Sequence, residues 1–315
     1  MSLGLERQSE LWCPFPEAIH PAAMNVQQAT TRWAQEFSLL RTRQDCERFE
    51  RGQYGILMAR AYPTARQEDL QLIADWNTWT FLLDDQFDEH TVGYDPNGLE
   101  QLARRILATL RGAAPSPSDS ATFHALHDIA CRLRARRDEA WMERFTACVA
   151  ASLAAGHWES ENRVVGRMPT EQEYRHMRLF TSGVFCYLAL IELATQITLP
   201  DAIVHHPAVQ YLANTTNRVI CWSNDLFSFL KEVARRDVHN LIIILQHERQ
   251  LSFDDAVYEV TIAHDAEVEA FQLGRAQVPS FGVAQDCAVQ SYIDGMQAWM
   301  RANMDWSLAT GRYNA

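Results

Sequence analysis

Two groups of oxygen-bearing side chains in this chain have the types and spacing to hold hard divalent cations. The first is Asp84-Asp85-Gln86-Phe87-Asp88-Glu89, which follows the apolar run Trp79-Thr80-Phe81-Leu82-Leu83. Asp84 and Asp88 lie four residues apart and share a helical face. Like charges at that spacing destabilise a helix unless a cation offsets them, and carboxylate oxygens suit Mg2+. By itself, such a cluster is equally a solvated helix end. The second group is Asn224-Asp225-Leu226-Phe227-Ser228-Phe229-Leu230-Lys231-Glu232, in which Asn224, Ser228 and Glu232 recur every four residues. One stripe then carries an amide, a hydroxyl and a carboxylate oxygen among apolar neighbours. Alone, that pattern equally describes a buried polar network. Two such stripes on separate buried helices can hold several Mg2+ ions between them, and those ions can grip a diphosphate that an acidic protein would repel. Metal-assisted departure of diphosphate is the chemistry that follows.

Long helices are needed to position these stripes, and strand signals are nearly absent. Leu70, Ile73, Ala74, Asn77 and Phe81 recur at helical spacing, as do Val219, Trp222, Leu226, Phe229 and Leu230, which predicts two buried helices. No proline interrupts the chain between Pro207 and Pro279. Gly93 to Gly98, Arg111 to Ser120 and Gly166 to Thr170 read as loops between helices, and Asp201 to Pro207 separates two more. Thr170 with Glu173 fits a capping box that opens a helix running through Arg178. With no repeat, linker or composition shift, one all-α domain over residues 1–315 is the simplest reading.

Composition sets limits on the partners. The 315 residues are 47% hydrophobic and 22% charged, as in an ordinary globular protein, with enough chain for a substantial core. A formal net charge of -12 argues against nucleic acid and anionic membranes as partners. Nine Trp can fill a core or wall a ligand cavity. Seven scattered Cys without metal-finger spacing read as reduced core thiols, and the eleven His show no ligand spacing. No leader and no apolar run of spanning length is apparent, so the expected location is the cytoplasm, without stable membrane insertion.

The ordered blocks along the chain resemble the bacterial class I terpene synthases, especially the sesquiterpene cyclases. Pro14-Phe15-Pro16 with His20-Pro21, Ala59 to Pro63, and Trp76 to Phe81 precede Asp84 to Asp88, which looks like the aspartate-rich DDxxD motif. Asn224, Ser228 and Glu232 match the (N/D)Dxx(S/T)xxxE motif in full, and Arg312-Tyr313 resembles the C-terminal Arg-Tyr pair. The resemblance implies a single-domain class I terpenoid synthase α-helical bundle around a central apolar active-site cavity. It implies an enzyme that ionises farnesyl diphosphate and cyclises the carbocation to a sesquiterpene hydrocarbon or alcohol.

By the same resemblance Asp84 and Asp88 ligate two Mg2+ ions and Asn224, Ser228 and Glu232 a third, with Mn2+ able to substitute. Asp85 forms a salt bridge that reports closure. Arg178, Lys231, Arg312 and the Tyr313 hydroxyl donate to the diphosphate. Thr181 falls where the family places a linker residue, commonly Asp, and Ser182 supplies an effector carbonyl at a helix break that Gly183 suits. Phe81, Tyr187, Trp299 and Trp306 align with aromatic contour positions, although residues at such spacing are often plain core. The diphosphate itself serves as the final base, because no other general base is visible.

Three other readings fit parts of the pattern. A mono- or diterpene synthase would act on geranyl or geranylgeranyl diphosphate. A trans-prenyltransferase shares the first motif but carries a second DDxxD where this chain has Asn224, Ser228 and Glu232. A non-enzymatic helical interaction module would need no metal. A homodimer is compatible with all of them.

Overall fold

The computed structural model describes residues 11–89 and 91–313, without the side chains of 86–92. Among the described residues every regular element is helical, and the chain divides into two compact units. One unit is Ile19–Arg167; the other joins the segment ending at Ala18 to the chain from Met168 onward.

The first unit holds α1 (Ala23–Glu36), α2 (Arg43–Gly52), α3 (Tyr54–Ala61), α4 (Gln67–Glu89), a 3₁₀ turn at Thr91–Tyr94, α5 (Pro96–Leu110), α6 (Ala121–Arg134) and α7 (Glu139–Val165). Its axis is α4, where Leu70, Ile73, Ala74 and Asn77 are fully buried as their spacing predicts, and Phe81 is half-buried. Trp76 packs on Trp79 and Phe145, tying α4 to α7 by aromatic contact. Two ion pairs fasten α4 to α6 and the turn after it: Asp75 with Arg132 at 2.8 Å and Asp69 with Arg136 at 2.9 Å. Helices α1 and α3 touch where Gly55 lies on Gln27; a Cβ there would sit 2.7 Å from Gln27 Cα, so glycine permits the approach.

In the second unit α8 (Glu171–Thr181), α9 (Val184–Thr195), α10 (Asp201–Val204), α12 (Leu241–Glu248), α13 (Phe253–Arg275) and α14 (Val283–Ala309) surround α11 (Pro207–Arg235). Helix α8 opens with the expected capping box, Thr170 and Glu173 each serving the other's backbone. Between α8 and α9, Gly183 takes φ +67°, a left-handed conformation that ends one helix and starts the next. The N-terminal segment is part of this unit: Phe15 packs edge-on against Phe271, and Arg301 donates to its carbonyl at 3.2 Å.

Three expectations need correction. Not all thiols are core: Cys186 and Cys221 are buried, but Cys131 and Cys287 are exposed, and all seven are free. The stretches read as plain loops around Gly93 and Asp201 contain the 3₁₀ turn and α10, elements of four residues each, too short for a periodic signal. By length and composition, Glu171–Thr195 would suit a membrane span, although no such run was expected. It is two helices broken at Gly183, and α9 spends its apolar residues on contacts with α11 and α14.

Candidate active site

The acidic end of α4 sits against the ordinary electrostatics of a helix. Carboxylates are favoured at an N-terminus, where Glu68 and Asp69 obey the rule, and disfavoured at a C-terminus, where Asp84 to Glu89 do not. Asp84 is exposed, whereas Asp85 one residue on is 6% exposed. The side chain of Asp88 lies outside the described residues. Phe81, one turn back, stacks on Tyr54 with ring centroids 4.5 Å apart.

On α11 the second motif is the centre of a hydrogen-bonded cluster. Arg178 of α8 donates from Nε to Asp225 Oδ1 at 3.0 Å and from Nη2 to Asn224 Oδ1 at 2.6 Å. From the other side Asn224 Nδ2 donates to Tyr313 Oη at 2.8 Å. Arg178 and Tyr313, from separate stretches of sequence, thus both contact Asn224. Asp225 is fully buried and also accepts from the Tyr174 hydroxyl at 2.8 Å and from Leu241 N at 3.0 Å. Ser228 is buried and donates to Asn224 O at 2.7 Å, while Glu232, half-buried, accepts from Asn240 Nδ2 at 2.6 Å. Lys231 and Arg312 are half-buried nearby in sequence.

Charge in this cluster is out of balance. Burial raises the Asp225 carboxyl above its ordinary range, although Arg178, the Leu241 amide and the Tyr174 hydroxyl all favour its charged form. Burial, then the Asp225 charge, push Glu232 up to about 8. Burial works against the Arg178 guanidinium, but Asp225, Tyr174, Cys221 and Glu232 together more than offset it and Arg178 stays charged. Two carboxyl groups face one guanidinium, and a bound cation would favour the charged form of both. Amide, hydroxyl and carboxylate oxygens are hard donors of the kind a small divalent ion takes, and these residues fit that group.

The helix break beside Arg178 is clamped from α11. Asn217 Nδ2 donates to Leu179 O at 2.7 Å, and its Oδ1 accepts from Ser182 Oγ at 2.9 Å. Among the described residues, Thr181 Oγ1 is buried without a hydrogen-bond partner. Of the aromatic positions, Tyr187 meets Trp299 at 5.0 Å and Trp306 meets Tyr313 at 5.8 Å, so Trp306 borders the Tyr313 end of the cluster. Asp225, Tyr174, Asn217 and Asn240 were not anticipated as site residues. A charged residue inside an apolar helical run was a signal for Asp225, and Asn before Leu241-Ile242-Ile243-Ile244-Leu245 marked a helix cap.

The chain is similar to known proteins along nearly its whole length. The family model "Terpene synthase family 2, C-terminal metal binding" matches residues 75–270, a span that enters both compact units. The (+)-T-muurolol synthase of Roseiflexus castenholzii, described as (2E,6E)-farnesyl diphosphate cyclizing, is 42% identical over 306 residues, 97% of this chain and 94% of that protein. Germacrene A synthase of Nostoc punctiforme is 32% identical over 304 residues, with 96% and 94% covered. The crystal structure of linalool/nerolidol synthase from Streptomyces clavuligerus superposes with a TM-score of 0.85 at 26% identity, covering 94% of this chain and 99% of that one.

Proposed function

Because the chain belongs to terpene synthase family 2, with relatives aligned along nearly its whole length, we propose that it ionises farnesyl diphosphate and cyclises the cation to a sesquiterpene. The observation that carries this reading is the contact of Arg178 with Asn224, and of Asn224 with Tyr313. It joins an anion-binding guanidinium and a phenol to the first residue of the metal motif. The whole of 1–315 acts as one catalytic domain, in the cytoplasm.

Dependence on a divalent metal belongs to the family; the finer reading is three Mg2+ ions. Asn224, Ser228 and Glu232 would hold one, and Asp84 with Asp88 the others. When bound, Mg2+ supplies Lewis-acid neutralisation of the diphosphate charge. A cation held by Asn224 Oδ1 would repel the Arg178 guanidinium that donates to the same atom, which would favour turning an Arg178 N–H to the leaving group. Arg178, Lys231, Arg312 and Tyr313 then donate to an oxyanion whose charge grows as the C–O bond breaks, which favours the transition state over the substrate. Asp85 reports closure through a salt bridge, and Thr181, Ser182 and Gly183 connect Arg178 to the helix break. Phe81, Tyr187, Trp299 and Trp306 exclude water and offer π faces worth about 2 kcal/mol each to a desolvated cation. A proton leaves the last cation to the departed diphosphate, or one trapped water adds to give an alcohol.

The test is incubation of the purified chain with Mg2+ and farnesyl diphosphate, following diphosphate release and volatile products. A cyclic sesquiterpene is expected. Turnover of geranyl or geranylgeranyl diphosphate alone would move the substrate assignment. Intact substrate in all three incubations would refute the reading.

A further inference from the structure

The loop after α11 returns a side chain to the motif from which it started. Arg236 turns left-handed at φ +58°, Asp237 N bonds back to Glu232 O at 3.0 Å, and four residues later Asn240 is fully buried beneath α11. There both polar atoms of its side chain are hydrogen-bonded. Oδ1 accepts from Ile242 N at 2.9 Å and caps α12. The two N–H bonds of Nδ2 go to Asp225 O at 2.7 Å and to Glu232 Oε2 at 2.6 Å. The orientation of the amide is fixed by these partners, since a backbone N–H faces one atom and a backbone carbonyl faces the other.

Capping alone does not account for this residue. Ser, Thr and Asp cap a helix as well as Asn does, because the cap needs only one acceptor oxygen. Among the common capping residues, only Asn adds two donors on the far side of that oxygen. Here those donors link two points on α11, the backbone of the residue after Asn224 and the carboxylate of the last motif residue. A carboxylate on a half-buried Glu has three free torsions; a buried amide on one oxygen removes much of that freedom before any ligand arrives.

We propose that Asn240 is a positioning residue for the metal motif, holding Glu232 Oε2 so that the carboxylate presents its remaining lone pairs to a divalent cation. This rests on the reading of Glu232 as a metal ligand. The experiment therefore pairs N240S, which keeps a capping oxygen and loses both donors, with E232Q, which removes the ligand itself. The readout is Mn2+ affinity, from the electron paramagnetic resonance signal of free Mn2+ in the presence of inorganic diphosphate, at a temperature where each variant is folded.

N240S is expected to bind Mn2+ about tenfold more weakly than wild type, as loss of an outer partner usually does, and E232Q at least as weakly. N240T, with the same capping oxygen, repeats the measurement should N240S be unstable. Wild-type affinity in the Asn240 variants beside weakened E232Q overturns the inference and leaves capping as the role. Undiminished affinity in E232Q overturns the ligand assignment and the inference with it, whatever N240S does.

Discussion

The Arg178–Asp225 ion pair sets a measurable demand on stability. Asp225 has no exposed surface and the Arg178 side chain is 12% exposed. Substituting D225N keeps the shape and removes the charge, and it turns an amide N–H toward a site lined by Arg178, Leu241 N and the Tyr174 hydroxyl. Breaking a buried pair from one side costs about 3–5 kcal/mol. The low end applies here, because Arg178 keeps Asn224 Oδ1 and the Tyr174 hydroxyl keeps His239 O at 3.1 Å. For 315 residues, an unfolding entropy of about 2.1 cal/mol/K per residue gives roughly 0.66 kcal/mol/K. A loss of about 3 kcal/mol then lowers the melting midpoint by about 5 °C. Scanning calorimetry without added metal measures this. The double variant R178M/D225L, which leaves no unpaired charge, should recover most of the loss. If D225N melts with wild type, the carboxyl is already neutral in the resting protein and the ion pair is not what holds α8 to α11.

Three further outcomes test other parts of the structure. Burial raises the Asp75 carboxyl from 3.8 to about 6 despite Arg132, so its contribution to stability is fully present below pH 3.8 and is lost as pH rises through about 6. D75N lacks that loss and should gain on wild type by up to roughly 3 kcal/mol between those limits; a melting gap independent of pH would contradict it. In maleimide labelling at mildly alkaline pH, exposed Cys131 and Cys287 should react first, with Cys221, pushed up to about 11 by burial, slower by about 100-fold. Early modification of Cys221 would contradict its placement. G55A sets a methyl against the Gln27 backbone, and denaturant unfolding should register a loss of about 1–3 kcal/mol; an unchanged midpoint would mean α1 and α3 can separate at no cost.

Much of the helical frame was legible because it rests on local rules. The periodic burial of α4, the Thr170 and Glu173 box and the stripe at 224, 228 and 232 are written within one or two turns of chain. Asp225 with Arg178, Tyr174 and Leu241 joins residues up to 51 positions apart, and no local pattern says which of several arginines will reach it. Asn240 was visible as a helix cap only; the acceptors of its amide depend on where the loop from Arg236 returns. The aromatic stripe of α14 was visible, yet the Tyr187–Trp299 and Trp306–Tyr313 pairings come from packing between helices and from the turn after Ala309.

The departures from local rules are the better guide to where this chain does chemistry. Asp84 and Asp85 occupy the end of α4 that its dipole disfavours. Asp225 lies without exposed surface as the one acidic residue among the buried residues of α11, and Gly183 breaks an apolar run long enough to continue as one helix. Each is locally unfavourable, and none is explained by packing alone. A cation near Asp84 would offset the unfavourable helix dipole, and the break at Gly183 is held from α11 by Asn217, which bonds Leu179 O and Ser182 Oγ. A divalent cation bound at Glu232 would relieve the burial and charge repulsion that raise its carboxyl, which would stabilise the folded chain. That makes the sign of the ligand effect a strict requirement: Mg2+ together with inorganic diphosphate must raise the melting midpoint of the wild-type chain, and must raise that of E232Q by less.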